Sequence, residues 1–205
     1  MRIKLRFFAP LAFLVAVALA ASSCAGAGAG INLTDQKQID TKLVSKLIKQ
    51  IDPEASVLQI DMVPGTNGFS KRVGNAMVTF VAPGSDKVKC LAVYLTGNYD
   101  PRDWTVDHDL RERKADTGLK ISEIDFSQIA SNLLQAEAAV KEAGDDFSGI
   151  GIYSIELDGD PAKVLHEFSL QSKAKDQSEA GRDEILYLSY DFAADAKGEL
   201  FYDAE

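Results

Sequence analysis

Two segments ninety residues apart begin alike, Asp35-Gln36-Lys37-Gln38-Ile39 and Asp125-Phe126-Ser127-Gln128-Ile129, and each opens a run of apolar residues at helical spacing. Asp at a helix N-cap with Gln at the third helical position is a variant of the capping box, in which each side chain satisfies a backbone N–H that the helix leaves free. In the first helix Ile39, Leu43, Val44, Leu47, Ile48 and Ile51 draw one apolar stripe, which Asp52-Pro53 stops. In the second, Phe126, Ile129, Ala130, Leu133, Leu134 and Val140 do the same, and Gly144 supplies the C-cap. Each stripe must lie on another element. Both helices are succeeded by short runs bounded by Gly, Pro, Asn and Asp, which is the signature of strands. After the first helix these are residues 56–63, 75–81, 87–95 and 104–108; after the second they are 151–157, 162–171, 184–192 and 199–203.

Alternation within the runs shows which side the helices cover. Leu58, Ile60 and Met62 alternate with Gln59 and Asp61, Ile155 and Leu157 with Ser154 and Glu156, and Leu186, Leu188 and Tyr190 with Tyr187 and Ser189. One face is apolar and the other mixed, as in an antiparallel sheet covered on one side. The expected fold is therefore α+β: two tandem α-β-β-β-β repeats, each an antiparallel sheet with one helix packed on one face. The first repeat with its linker takes residues 34–116 and the second 117–205, the charged stretch Asp109-Leu110-Arg111-Glu112-Arg113-Lys114-Ala115-Asp116 joining them. This tandem resembles the architecture of the β-lactamase inhibitor protein family, and the single unit is similar to PepSY-type and small outer-membrane-assembly lipoprotein domains. The resemblance implies a bare sheet face that binds another protein; no inhibitory residue is matched by position.

Upstream, Arg2, Lys4 and Arg6 precede the apolar run Phe7 to Ala21, which reads as a secretory signal peptide over residues 1–23. A spanning helix needs about 20 apolar residues, and this shorter run contains Pro10. Ala21-Ser22-Ser23-Cys24 resembles the lipobox of bacterial lipoproteins. That resemblance implies cleavage before Cys24 and acylation of its thiol, which makes a membrane anchor. With Ala25 in place of an aspartate, it also points to the outer membrane of the cell envelope. The alternative is an ordinary secreted protein cut near Ala21 or Ala27, with Cys24 a spare thiol. Residues 24–33, rich in Ala and Gly, read as a flexible tether.

Loss of the leader removes three cations and takes the formal net charge from −9 to −12. That balance argues against nucleic acid and against anionic membrane surfaces as partners, since both are bound through positive charge. The second of two cysteines, Cys90, sits in a strand with no histidine or CxxC partner nearby and reads as a small buried hydrophobe rather than a reactive thiol. His108, in Asp107-His108-Asp109, cannot share an ion with neighbours that point to opposite strand faces. His166 shares its strand face with Val164 and Phe168 and reads as a structural histidine. Asp158-Gly159-Asp160-Pro161 lacks the downstream ligands of a calcium loop and reads as a hairpin turn. Gly26, Gly28 and Gly30 imitate a dinucleotide fingerprint without the strand that must precede it.

No catalytic, cofactor-binding or metal-binding residue is assigned, and no cofactor is expected. Tyr99, Arg102 and Trp104 are the candidates for partner binding, being residue types enriched at interface hot spots; the competing reading puts Trp104 in the core. The polar segment from Gln171 to Asp183 is long for a hairpin and reads as a binding loop or an insertion. The expected function is that of a membrane-anchored envelope lipoprotein acting as a non-enzymatic binding module for another envelope protein. The alternative is a periplasmic small-molecule carrier or an enzyme with its site at the repeat junction.

Overall fold

The computed structural model describes residues 30–65, 70–97, 100–105, 108–173 and 187–202. The leader, Cys24, Tyr99, Asp107, residues 174–186 and Asp203 lie outside the described residues. Strand β1 (Ile31–Asn32) leads into a helix with three stretches, α1 (Gln36–Gln38), a π-helical stretch Ile39–Val44, and α2 (Ser45–Gln50). Four strands follow: β2 (Ser56–Pro64), β3 (Arg72–Val81), β4 (Val88–Tyr94) and β5 (Arg102–Trp104). A short helix α3 (His108–Arg111) begins the linker, and α4 (Gln128–Glu142) precedes β6 (Phe147–Glu156), β7 (Leu165–Lys173), β8 (Tyr187–Ala194) and β9 (Leu200–Tyr202). His108 thus opens a helical turn and does not end a strand.

The sheet joins what the sequence keeps apart. All described strands form one antiparallel sheet in the order β5-β4-β3-β2-β6-β7-β8-β9, with β1 beside β3. The first strand of each half meets the other at the centre, Ile60 opposite Ile155 and Met62 opposite Tyr153. The expectation of two separate sheets is corrected on this point: β2 and β6 both have a free edge toward the other half, and pairing them removes two exposed edges at once.

Both helices lie on the same face. Ile39, Leu43 and Leu47 from the first helix and Ile129, Leu133, Ala136 and Val140 from α4 share one continuous core with Ile60, Met62, Ala76, Val78, Val93, Ile150, Tyr153, Ile155, Phe168, Leu170 and Phe192. Each fully buried Leu, Ile or Val contributes roughly 1.5–3 kcal/mol, so Leu133→Asp would detach α4 from the sheet. Two residues assigned to the stripes fall outside them, Ile48 at 56 % exposure and Leu134 at 53 %. In the first helix the buried residues recur every four positions, and Thr41 and Ser45 bond back to the carbonyls of Lys37 and Thr41. Those back-bonds accompany a wider turn, which leaves Ile48 on the outer side.

The caps differ between the halves. Asp35 accepts from the Gln38 backbone N–H and its side-chain amide, and these bonds hold its carboxyl below the usual range. Asp125 instead makes a turn to the backbone and hydroxyl of Ser127. Helix α4 starts at Gln128, whose amide Nε2 ties it to the Ala196 carbonyl at 2.6 Å. Gly144 ends α4 with φ of 87°, and Asp145 donates back to Val140 O, a terminus that favours glycine.

Residues 30–33, expected as the end of a flexible tether, are packed into the fold. Ile31 and Leu33 are fully buried, and Ile31-Asn32 pairs with Val73-Arg72, so Gly30–Leu33 belong to the fold. Gly30 has φ of 130°, and a Cβ there would stand 2.8 Å from Val73 O; the chain enters the sheet through a position suited to glycine. The charged linker is also packed. Leu119 and Val57 exchange backbone hydrogen bonds, and Arg113 donates to the carbonyls of Leu58, Leu157 and Thr117. This guanidinium clamps the seam where β2 and β6 leave each other.

Candidate functional site: the bare face of the sheet

Opposed residues of an antiparallel sheet point to the same side, so the register defines the face that the helices leave bare. One row crosses eight strands: Arg102, Ala92, Met77, Asp61, Ser154, Glu167, Ala193 and Phe201. A second row beside it holds Trp104, Cys90, Thr79, Gln59, Glu156 and Leu165. Arg102 and Trp104 therefore stand at one edge of the same surface, and both are exposed. Trp104 keeps 44 % exposure, so it is no core residue; Phe201 marks the opposite edge at 40 %. A bulge between Ile150 and Tyr153 lets both of those enter the core and leaves Ile152 exposed. Tyr99 lies outside the described residues.

The middle of this face is acidic. Asp61 accepts from Ser154 Oγ at 2.6 Å and from Gln59 Nε2 at 2.8 Å. Burial nevertheless raises its carboxyl above the ordinary range, the two hydrogen bonds opposing. Glu167 is raised too, first by burial and then by the charge of Glu156. Within the two rows, among the described residues, the one cationic side chain is Arg102 at the edge. The centre thus holds carboxylates whose charge lacks full compensation, between exposed apolar groups. Cys90 is buried here, and burial pushes its thiol up, which suits a packing role and not a nucleophile.

A different polar group lies on the helix side. Asn132 Nδ2 donates to Tyr153 Oη at 3.2 Å, and that hydroxyl sits 3.0 Å from His166 Nδ1. The hydroxyl ties the amide to the imidazole, and which of Oη and Nδ1 donates follows the imidazole tautomer. Burial lowers the imidazole to about 4, partly offset by Asp125, and pushes the Tyr153 phenol up. The same ring stacks on Phe168 at 4.7 Å. A cleft of about 40 Å³ lies beside them, lined by Glu123, Asp125, Gln128, Pro161, Val164, His166 and Ala196. It has room for water and falls below the few hundred Å³ of a small-molecule site. His166 is thus fully internal and neutral, a structural residue as its neighbours on the strand suggested.

Sequence reasoning singled out Arg102 and Trp104 but passed over Asp61, Glu156, Glu167, Ile152 and Phe201. The signal was the polar half of each alternation; which residues stood together depended on cross-strand register. No protein-family model and no curated protein matches the chain. Among solved structures, a candidate lipoprotein from Clostridium difficile 630 is similar over 88 % of this chain and 97 % of that one, at 14 % identity and a TM-score of 0.43.

Proposed function

We propose that the chain is a lipid-anchored envelope lipoprotein, acylated at Cys24, whose bare sheet face docks a partner protein without catalysing a reaction. The anchor rests on the leader and its lipobox. The docking reading rests on one observation, the pair of rows in which acidic side chains lie between exposed apolar ones from Trp104 to Phe201. A partner segment that fits would carry a Lys or Arg toward Asp61, Glu156 and Glu167 and apolar groups toward the edges; such complementarity supplies specificity. The two α-β4 halves act as tandem repeats that supply half of this surface each, placed in the cell envelope on the outer-membrane side.

Photo-crosslinking in intact envelopes tests the docking face. A benzophenone residue at Met77 or Glu167 is expected to yield one defined protein adduct, whereas one at Lys49 or Gln135, on the outer side of the helices, yields none. Trp104→Ala with Arg102→Ala should cut the adduct about tenfold, the order of a hot-spot loss. Equal adducts from both sides, or none from the bare face, refute the assignment. The mass of the mature N-terminal peptide checks Cys24 separately.

A further inference from the structure

Resting on the anchor reading, we propose that the pole of the sheet where the chain enters is held against the bilayer headgroups, so that the bare face stands upright and opens sideways along the membrane. Burial of Ile31 and Leu33 fixes the entry point at Gly30. Six peptide units separate Cys24 from Gly30, a reach of at most about 20 Å. The fold therefore cannot stand off the membrane by more than its own size.

The entry sits at one extreme of the strands. Gly30 O accepts from Arg72 Nη1 at 3.1 Å, and Arg72 begins β3. Lys71, next to it, lies over the Phe147 ring at the start of β6. Lys173 closes β7 at the same end, opposite Tyr187. Charges of both signs meet here: Asp35, Glu142, Asp145 and Asp146 stand with Lys37, Lys71, Arg72, Lys141 and Lys173, and Asp145 accepts from the Tyr190 hydroxyl. From Arg72 to Val81 the strand runs about 30 Å to the other pole, where the connections carry Asp86, Asp158, Asp160, Asp195 and Glu199 together with Lys87, Lys163 and Lys197. The tether's reach is shorter than the strands, so its length favours one orientation, with the entry pole nearer the bilayer than the far pole.

The test uses the full chain, processed by a bacterial host, purified from membranes and placed in phosphatidylethanolamine/phosphatidylglycerol vesicles or nanodiscs containing a nitroxide-headgroup lipid. The N-terminal mass is read first. If Cys24 is unmodified, the anchor reading fails by that measurement; the thiol is then coupled to a maleimide lipid and the orientation is still tested. Amide signals of Gly30, Lys71 and Arg72 are expected to lose at least fivefold more intensity than those of Gly84, Ser85 and Gly159. Inserting twenty Gly/Ser residues after Ala29 should bring that ratio near one. Equal or reversed losses, or a ratio unmoved by the insertion, overturn the inference.

Discussion

Replacing His166 by Gln should remove most of one identifiable component of acid sensitivity. The imidazole is 1 % exposed and falls from 6.5 in an unfolded chain to about 4 in the fold. Between those values the unfolded state holds a proton that the folded state refuses, so stability is full above pH 6.5 and is lost as pH falls toward 4. The gap corresponds to about 3 kcal/mol, with about 2 kcal/mol already gone at pH 5. Carboxylates titrate in the same window, and the raised Asp61 and Glu167 act with the opposite sign. The quantity to read is therefore the difference between wild type and His166→Gln, from urea unfolding between pH 4 and pH 7.5. At pH 7.5 the variant is expected to be the less stable, because it disturbs the Tyr153 and Asn132 bonds. The difference should then shrink or reverse by about 3 kcal/mol on acidification. A difference that stays flat within about 0.5 kcal/mol would falsify the burial of a neutral imidazole.

Asp61→Asn keeps an oxygen for Ser154 and Gln59 while removing a carboxylate that burial disfavours. Because the folded carboxyl is raised, its cost appears as pH climbs above 3.8 through the folded value, and the variant should gain most at neutral pH. A melting midpoint higher by on the order of 2–4 °C at pH 7, shrinking below pH 4, is expected; a lower midpoint at pH 7 contradicts the account. Arg113→Leu strips charged donors from the Leu58, Leu157 and Thr117 carbonyls and should cost about 2–3 kcal/mol in urea unfolding. A loss under about 0.5 kcal/mol means the clamp does not hold the seam.

Local chemistry determined much of this protein within the sequence itself. The two helical stripes, the cap at Asp35, the stop at Asp52-Pro53, the αL end at Gly144 and most strands follow from periods, caps and breakers that act over a few residues; the expected cap at Asp125 does not form, and α4 starts at Gln128 after Ser127. The apolar and mixed faces were legible for the same reason, since alternate residues along a strand face opposite sides. Where strands pair is another matter. That β2 meets β6, that Asp61 stands beside Ser154 and in line with Glu167, and that Ile31 completes the sheet beside β3 depend on edges distant in sequence finding partners. Register depends on burying one face along the whole sheet at once. The same holds for Arg113, whose charge marked a linker yet whose bonds close the central seam, and for Trp104, which edge placement left exposed. Sequence by itself determined most of the elements and their apolar sides. Only the tertiary structure decided that the halves share one sheet and one core, and that their polar alternations align into a single surface.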